Sequence, residues 1–302
     1  GEGYELSRFE ERAFMGENAK CYKASISKNK RQKMKLLTIK EVQGMQLDLM
    51  KILHVYLASK GIQYYMIAGS VLGAARHGGF IPWDDDIDIG MFRADYERFI
   101  AECGDFDSAY EIVNYHNGKN CDNCLTRIYF PNTHIDNKSI EKTKLDKRLY
   151  FDIFPLDNVP DDEKDRDKLE KKILRKKVQI ARADARNYNN PWYILLVKKV
   201  QASFLTLRRE RLLAKCDKLM QSYRDCDTNY ICSICSQYSF KKQAMPRAFY
   251  GEPKLHCFED TEFYVPERID DYLKHLYGEN YMEIPPEDKR RKGYSIYRID
   301  ED

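Results

Sequence analysis

No apolar run in the 302-residue chain approaches the roughly 18 residues that a bilayer span needs; the longest compact one is Tyr193-Ile194-Leu195-Leu196-Val197. An integral membrane protein is thereby excluded, and the first residues carry no apolar segment of the secretory-signal kind. Charge of one sign is also lacking, because 51 Lys and Arg face 48 Asp and Glu for a net of +3. An even, tightly spaced cysteine framework is missing too: the cysteines number nine, so a disulfide-stapled secreted scaffold is excluded and a reduced cytoplasm fits better. Cys121 with Cys124 and Cys232 with Cys235 are x-x-spaced pairs that could together make a four-thiolate zinc site. The gap between them is far longer than the ~15 to 20 residues of a zinc ribbon, and ordinary packing thiols are the simpler reading. Repeats and low-complexity stretches are absent. What remains is 43% hydrophobic and 33% charged, the composition of a folded protein with one large or two modest domains.

Local signals give an order of elements. Thr38-Ile39-Lys40-Glu41 is a capping box, Val42, Met45, Leu49, Ile52, Leu53 and Tyr56 follow at helical spacing, and Gly61 stops the helix. Ile62 to Ala68 reads as a strand running into a tight Gly69-Ser70 turn, and Val71 to His77 as a short helix. Strand patterns recur over Ile87 to Met91, Tyr110 to Tyr115, Leu125 to Phe130 and Leu149 to Phe154, with a helix near Ala94 to Cys103. Such mixing predicts an α/β (α+β) core. Between Asp161 and Arg224 the chain has no Gly, one Pro and 18 basic against 9 acidic residues, which predicts two long helices broken at Asn189-Asn190-Pro191. The expected organisation is an extension over 1–35, a catalytic core over 36–160, a basic helical segment over 161–225 and an α/β portion over 226–302 packing on the core.

The chemistry concentrates in Gly69 to Gly90. Asp86 and Asp88 alternate with Ile87 and Ile89, so as strand residues their carboxylates share one face. Two such carboxylates repel unless a cation lies between them, and hard oxygen ligands beside substrate phosphates suit Mg²⁺ or Mn²⁺. Asp152, flanked by Phe151 and Ile153 on another expected strand, is a third candidate ligand and a candidate to orient or deprotonate an incoming hydroxyl. The backbone of Gly69 and the hydroxyl of Ser70 are candidates to hold a phosphate. Arg76 and His77 lie between turn and acidic run and are further candidates for donor oxygens, and Trp83 is a candidate to stack on a base or box a quaternary ammonium. The plainer alternative for Asp84 to Asp88, a solvated acidic loop, does not explain the interleaved isoleucines; a hand-type calcium loop lacks the required Gly and Glu spacing.

A Gly-Ser turn, two alternating carboxylates and a distant third resemble the nucleotidyltransferase fold. The wording from Gly69 to Met91, Gly-Ser-Val-Leu-Gly-Ala-Ala-Arg-His-Gly-Gly-Phe-Ile-Pro-Trp-Asp-Asp-Asp-Ile-Asp-Ile-Gly-Met, is similar to the LicD family, related to fukutin-type transferases. Phe151 to Pro160 and Tyr272 to Arg290 are similar to its second and third blocks. The resemblance implies a nucleotidyltransferase-like mixed sheet with a basic helical insertion. It also implies transfer of a phospho-substituent, phosphocholine above all, from a CDP-linked donor to a hydroxyl of a cell-surface glycan or teichoic acid precursor, with release of CMP. An anionic or lipid-linked glycan acceptor fits the basic segment, where Tyr193, Leu196, Val197, Val200, Phe204 and Leu207 share one helical face beside four basic residues. Residues 191–211 are therefore expected either to pack on the core or to touch the inner face of the membrane. Nucleic acid is not expected as a partner, since no recognition module accompanies the charge. Two other readings stay open: a nucleotidyltransferase moving NMP from an NTP to a small molecule, and a non-catalytic glycan- or membrane-binding protein.

Overall fold

A computed structural model of the protein describes residues 34–118, 123–136, 146–184, 209–236, 238–290 and 293–300. The expected break at Asn189-Asn190-Pro191, the apolar face over 193–207 and Cys121 lie outside them.

After a short strand β1 (Met34–Leu36), helix α1 (Ile39–Lys60) starts and stops as its sequence dictates. Glu41 N–H donates to Thr38 Oγ1 at 3.2 Å and Thr38 N–H to Glu41 Oε2 at 2.8 Å, while Gly61 closes the helix at φ 61°. The Lys35 and Thr38 bonds hold the Glu41 carboxyl down to about 2. The strand expected over Ile62 to Ala68 is only β2 (Tyr65–Met66), because helix α2 (Ala68–His77) begins earlier than read. Then come β3 (Asp88–Phe92), α3 (Arg93–Glu102), β4 (Glu111–Val113), β5 (Thr126–Tyr129), β6 (Thr133–Asp136) and the long β7 (Tyr150–Val159). Helix α4 (Glu163–Asp184) and α5 (209–220) carry the basic segment. The remainder is β8 (Tyr230–Cys232), α6 (Phe240–Gln243), β9 (Met245–Pro246), α7 (Arg247–Tyr250), the hairpin β10 (Lys254–Phe258) and β11 (Thr261–Val265), α8 (Ile269–Tyr277) and β12 (Ser295–Ile299).

The main sheet runs β2-β3-β7-β5-β4, with β3 parallel to β7 and the other pairs along it antiparallel, so it is mixed as expected. Strand β7 serves two ladders. Its first residues lie between β3 and β5, and Asp157 to Val159 pair with β8. Pro155 sits where the β5 ladder has stopped at Ile153 and the β8 ladder begins at Asp157, so no partner on that side asks for its missing N–H. A separate sheet joins β1, β12 and β6, so strands on either side of the basic segment share hydrogen bonds with the core strands. Tyr65, Phe92, Tyr250 and Tyr272 meet edge to face with centroids 5.2 to 5.7 Å apart, filling the space beside α2 with the geometry aromatic pairs prefer.

Candidate active site

Cross-strand register builds the site. Asp88 on β3 lies directly opposite Asp152 on β7, and Asp152 directly opposite Arg127 on β5. Direct partners in adjacent strands point to the same face, so two carboxylates and one guanidinium form a row across three strands. Arg127 Nε donates to Asp152 Oδ1 at 3.0 Å, and its guanidinium carbon lies 4.3 Å from the centre of the Tyr150 ring. Asp86 stands two residues ahead of β3 in an irregular segment, not on the strand as the alternation suggested. It nevertheless joins Asp84, Asp88, Arg127 and Asp152 in lining one cleft of about 560 Å³, with Gly69 and Trp83 on its wall.

The acidic loop is held from behind by α1. Buried Gln43 donates through Nε2 to Asp84 O at 2.7 Å and Ile81 O at 3.3 Å, and buried Gln46 donates to Tyr150 O at 3.0 Å. Neither glutamine stood out in the sequence; the only available signal was a pair of amides on the apolar side of an amphipathic helix. Asp84, Asp85 and Asp86 each present a carboxylate oxygen within 4.8 Å of one another. A Cβ on Gly69 would lie 3.1 Å from Asp84 Oδ2, so the backbone of α2 closes on the same loop. Hard carboxylate oxygens of this kind are ligands that a divalent cation such as Mg²⁺ or Mn²⁺ would fit.

The two residues of the expected phosphate turn part ways. Ser70 Oγ accepts from Asp88 N–H at 2.8 Å and Ser70 N–H donates to Ile67 O at 3.1 Å, so Ser70 ties α2 to β3 and does not line the cleft. Gly69 does line it. Ala68, with φ 48°, starts the helix in the left-handed region that costs a residue with a Cβ, and its N–H donates to Tyr272 Oη at 2.8 Å. Arg76 and His77 are not on the cleft. Arg76 Nη1 donates to Tyr281 O and Glu283 O at 3.0 and 3.1 Å, which fixes it at the end of α2. His77 packs edge-on against Trp83 with centroids 6.1 Å apart, and burial together with Arg76 lowers its pKa. Burial first, and then among its neighbours the carboxylates of Asp88 and Asp84, push the hydroxyl of cleft-lining Tyr277 well up, so it stays a donor.

A second polar cluster lies behind the sheet. Arg93 spans Asp157 with two bonds of 2.7 and 2.8 Å and reaches Asp217 on α5 at 3.1 Å; all three side chains are buried. Cys124, Cys216, Cys232 and Cys235 are buried among core residues, while Cys121, needed for the four-thiolate alternative, lies outside the described residues.

Residues 61–177 match the LicD/FKTN/FKRP nucleotidyltransferase domain family. Over 272 residues the chain is 29% identical to the lipopolysaccharide cholinephosphotransferase LicD of Haemophilus influenzae, covering 85% of this chain and 96% of that protein. Over these residues the chain is similar to the LicD family. This likeness supports a phosphotransferase enzyme, and the α/β core with strands β3, β5 and β7 lies within the matched residues. A 39-residue stretch, 13% of this chain and 8% of the relative, is 51% identical to the ribitol 5-phosphate transferase FKRP of Homo sapiens. An uncharacterised protein of Rickettsia prowazekii is 32% identical over 116 residues, 36% of this chain and 44% of its own length. Among the described residues no helix is long and apolar enough to cross a membrane.

Proposed function

We propose that this chain transfers phosphocholine from CDP-choline to a hydroxyl of a lipopolysaccharide or related cell-surface glycan, teichoic acid precursors included, and releases CMP. The observation that carries the reading is the Asp88–Asp152 register at the floor of a cleft also lined by Asp84 and Asp86, in a chain aligned over nearly the whole length of a cholinephosphotransferase.

Asp86 and Asp88, with Asp84 beside them, would hold Mg²⁺ or Mn²⁺, and Asp152 would complete a second position. When bound there, such a metal would supply positive charge against the diphosphate and the departing nucleotide. The acceptor oxygen forms its bond to the head-group phosphorus as the bond from that phosphorus to the CMP oxygen breaks, and the bonding pair leaves with CMP. Asp152 orients the incoming hydroxyl and takes its proton. Arg127, already beside Asp152 in the cleft, takes the donor-phosphate role first expected of Arg76. Gly69 leaves room for donor oxygens to approach the backbone of α2. Trp83 offers a stacking face for the cytosine base. The acceptor, anionic or lipid-linked, meets the basic segment, and contact with the inner membrane face through 191–211 would bring the two together at a cytoplasmic site.

The deciding experiment incubates the protein with CDP-choline, CDP-ethanolamine, CDP-glycerol, CDP-ribitol and NTPs, with Mg²⁺ present or chelated, and reads CMP and pyrophosphate. Metal-dependent CMP from CDP-choline supports the reading. Pyrophosphate from an NTP would replace it with nucleotidyl transfer, and turnover of only a neutral CDP-polyol would change the head group while keeping the reaction class.

A further inference from the structure

Four aromatic rings of the cleft already face three cations of the protein. Arg127 lies over Tyr150, Arg290 lies 4.4 Å from the ring centre of Trp83, and Lys242 Nζ lies 4.2 Å from that of Tyr238 and 5.5 Å from that of Tyr277. The first two are committed elsewhere: Arg127 pairs with Asp152, and Arg290 Nε donates to Pro285 O at 3.0 Å. Lys242 differs in two respects. Its ammonium has no carboxylate partner among the described residues, and two rings converge on it. Both rings line the cleft that holds Asp88 and Asp152.

A pair of aromatic faces around one positive charge selects by the kind of cation. Lysine ammonium is small and strongly hydrated, so it gains little from ring faces and its four-carbon stem can swing away. A quaternary ammonium donates no hydrogen bond, carries a diffuse charge and is the cation that aromatic boxes bind best. We propose that Tyr238 and Tyr277 form the seat of a quaternary-ammonium head group on the donor, and that Lys242 fills this seat until the head group displaces it. The proposal rests on the reading of a CDP-linked donor in the carboxylate cleft and extends it to how the head group is selected. It also assigns the cation-recognising face to Tyr238 and Tyr277, where the sequence pointed to Trp83, one face of which already holds Arg290.

The test measures donor binding by calorimetry, with Mg²⁺, for the wild type, Tyr238→Leu, Tyr238→Phe and Lys242→Met, using CDP-choline and CDP-glycerol. Tyr238 is 39% exposed, so its variants keep the core intact. Tyr238→Leu is expected to weaken CDP-choline about five- to thirty-fold while CDP-glycerol stays within about twofold. Tyr238→Phe retains binding, and Lys242→Met tightens CDP-choline by vacating the seat. Equal weakening of both donors by Tyr238→Leu, or no weakening of either, overturns the proposal and leaves the reaction class standing. A second measurement needs no turnover: saturation transfer from protein to tetramethylammonium chloride should be clear with the wild type and lost with Tyr238→Leu. If the wild type consumes no CDP-linked donor yet this difference is seen, the functional reading fails and the seat remains; if the two proteins give the same transfer, the seat is refuted.

Discussion

Arg93→Met removes the only described cation in contact with Asp157, a carboxylate 1% exposed. Asp217 would keep donors from Tyr115 and Gln221, each at 2.6 Å, so the uncompensated charge falls mainly on Asp157. Breaking a buried pair by deleting one partner costs about 3 to 5 kcal/mol, and the partial compensation at Asp217 favours about 3 to 4. At roughly 2 °C per kcal/mol for a chain of this size, Tm should fall about 6 to 8 °C. The pH dependence has a definite sign. Burial already pushes the Asp157 carboxyl up against the pull of Arg93, while Asp157 pushes the Arg93 guanidinium up. Without Arg93 only the upward influences on Asp157 remain, so its folded pKa rises further above the unfolded value near 4. A carboxyl raised in the folded state costs stability as pH rises through that range and costs nothing below the unfolded value. The deficit should therefore be full at pH 7.5 and shrink toward pH 5. Thermal unfolding followed by circular dichroism at both values checks this. A Tm loss under about 2 °C, or a deficit that grows on acidification, would show that Asp157 is not held as a buried charge.

Asp86→Asn and Asp88→Asn should each lower metal-dependent CMP release at least about 100-fold with the circular dichroism spectrum unchanged, and chelation should do the same to the wild type until Mg²⁺ is restored. Arg127→Ala should raise the donor KM about tenfold or more, whereas Arg76→Ala should leave it within about twofold and instead lower Tm, because Arg76 is spent on the carbonyls of Tyr281 and Glu283; equal kinetic effects from the two would contradict the placement. Gln43→Leu frees the backbone of Asp84 and should weaken Mg²⁺ activation by a factor of several while Tm changes by only a few degrees, read by titrating metal at saturating donor.

The residues that announced chemistry in the sequence were those whose type is costly without a ligand. Asp86, Asp88 and Asp152, beside buried isoleucines, were singled out before any contact was known, and all three line one cleft. The capping box, the Gly61 stop and the α/β alternation were legible for the same local reasons. Pairing across the chain was not. That Arg127 shares a row with Asp152, that Gln43 holds Asp84, or that Asp157 meets Arg93 and Asp217 follows from strand register and helix packing, which no short window contains. Arg76 misled because motif proximity says nothing about which way a helix end turns its side chain; its guanidinium met the carbonyls of a segment two hundred residues away. Ser70 misled less, since it does act at the carboxylate strand, but by accepting from the Asp88 amide.

Strand β7 gives its first half to the row of Asp88, Asp152 and Arg127 and its second half to β8. The family domain ends at residue 177, before β8. A fragment cut there would carry Asp86, Asp88 and Asp152 but would present the backbone of Asp157 to Val159 as a bare, unpaired edge, with Arg93 deprived of Asp217. Such an edge recruits other strands. The unit recognised by resemblance is thus smaller than the unit able to stand alone, and transplanting the chemistry into another scaffold would have to carry the distant strand with it.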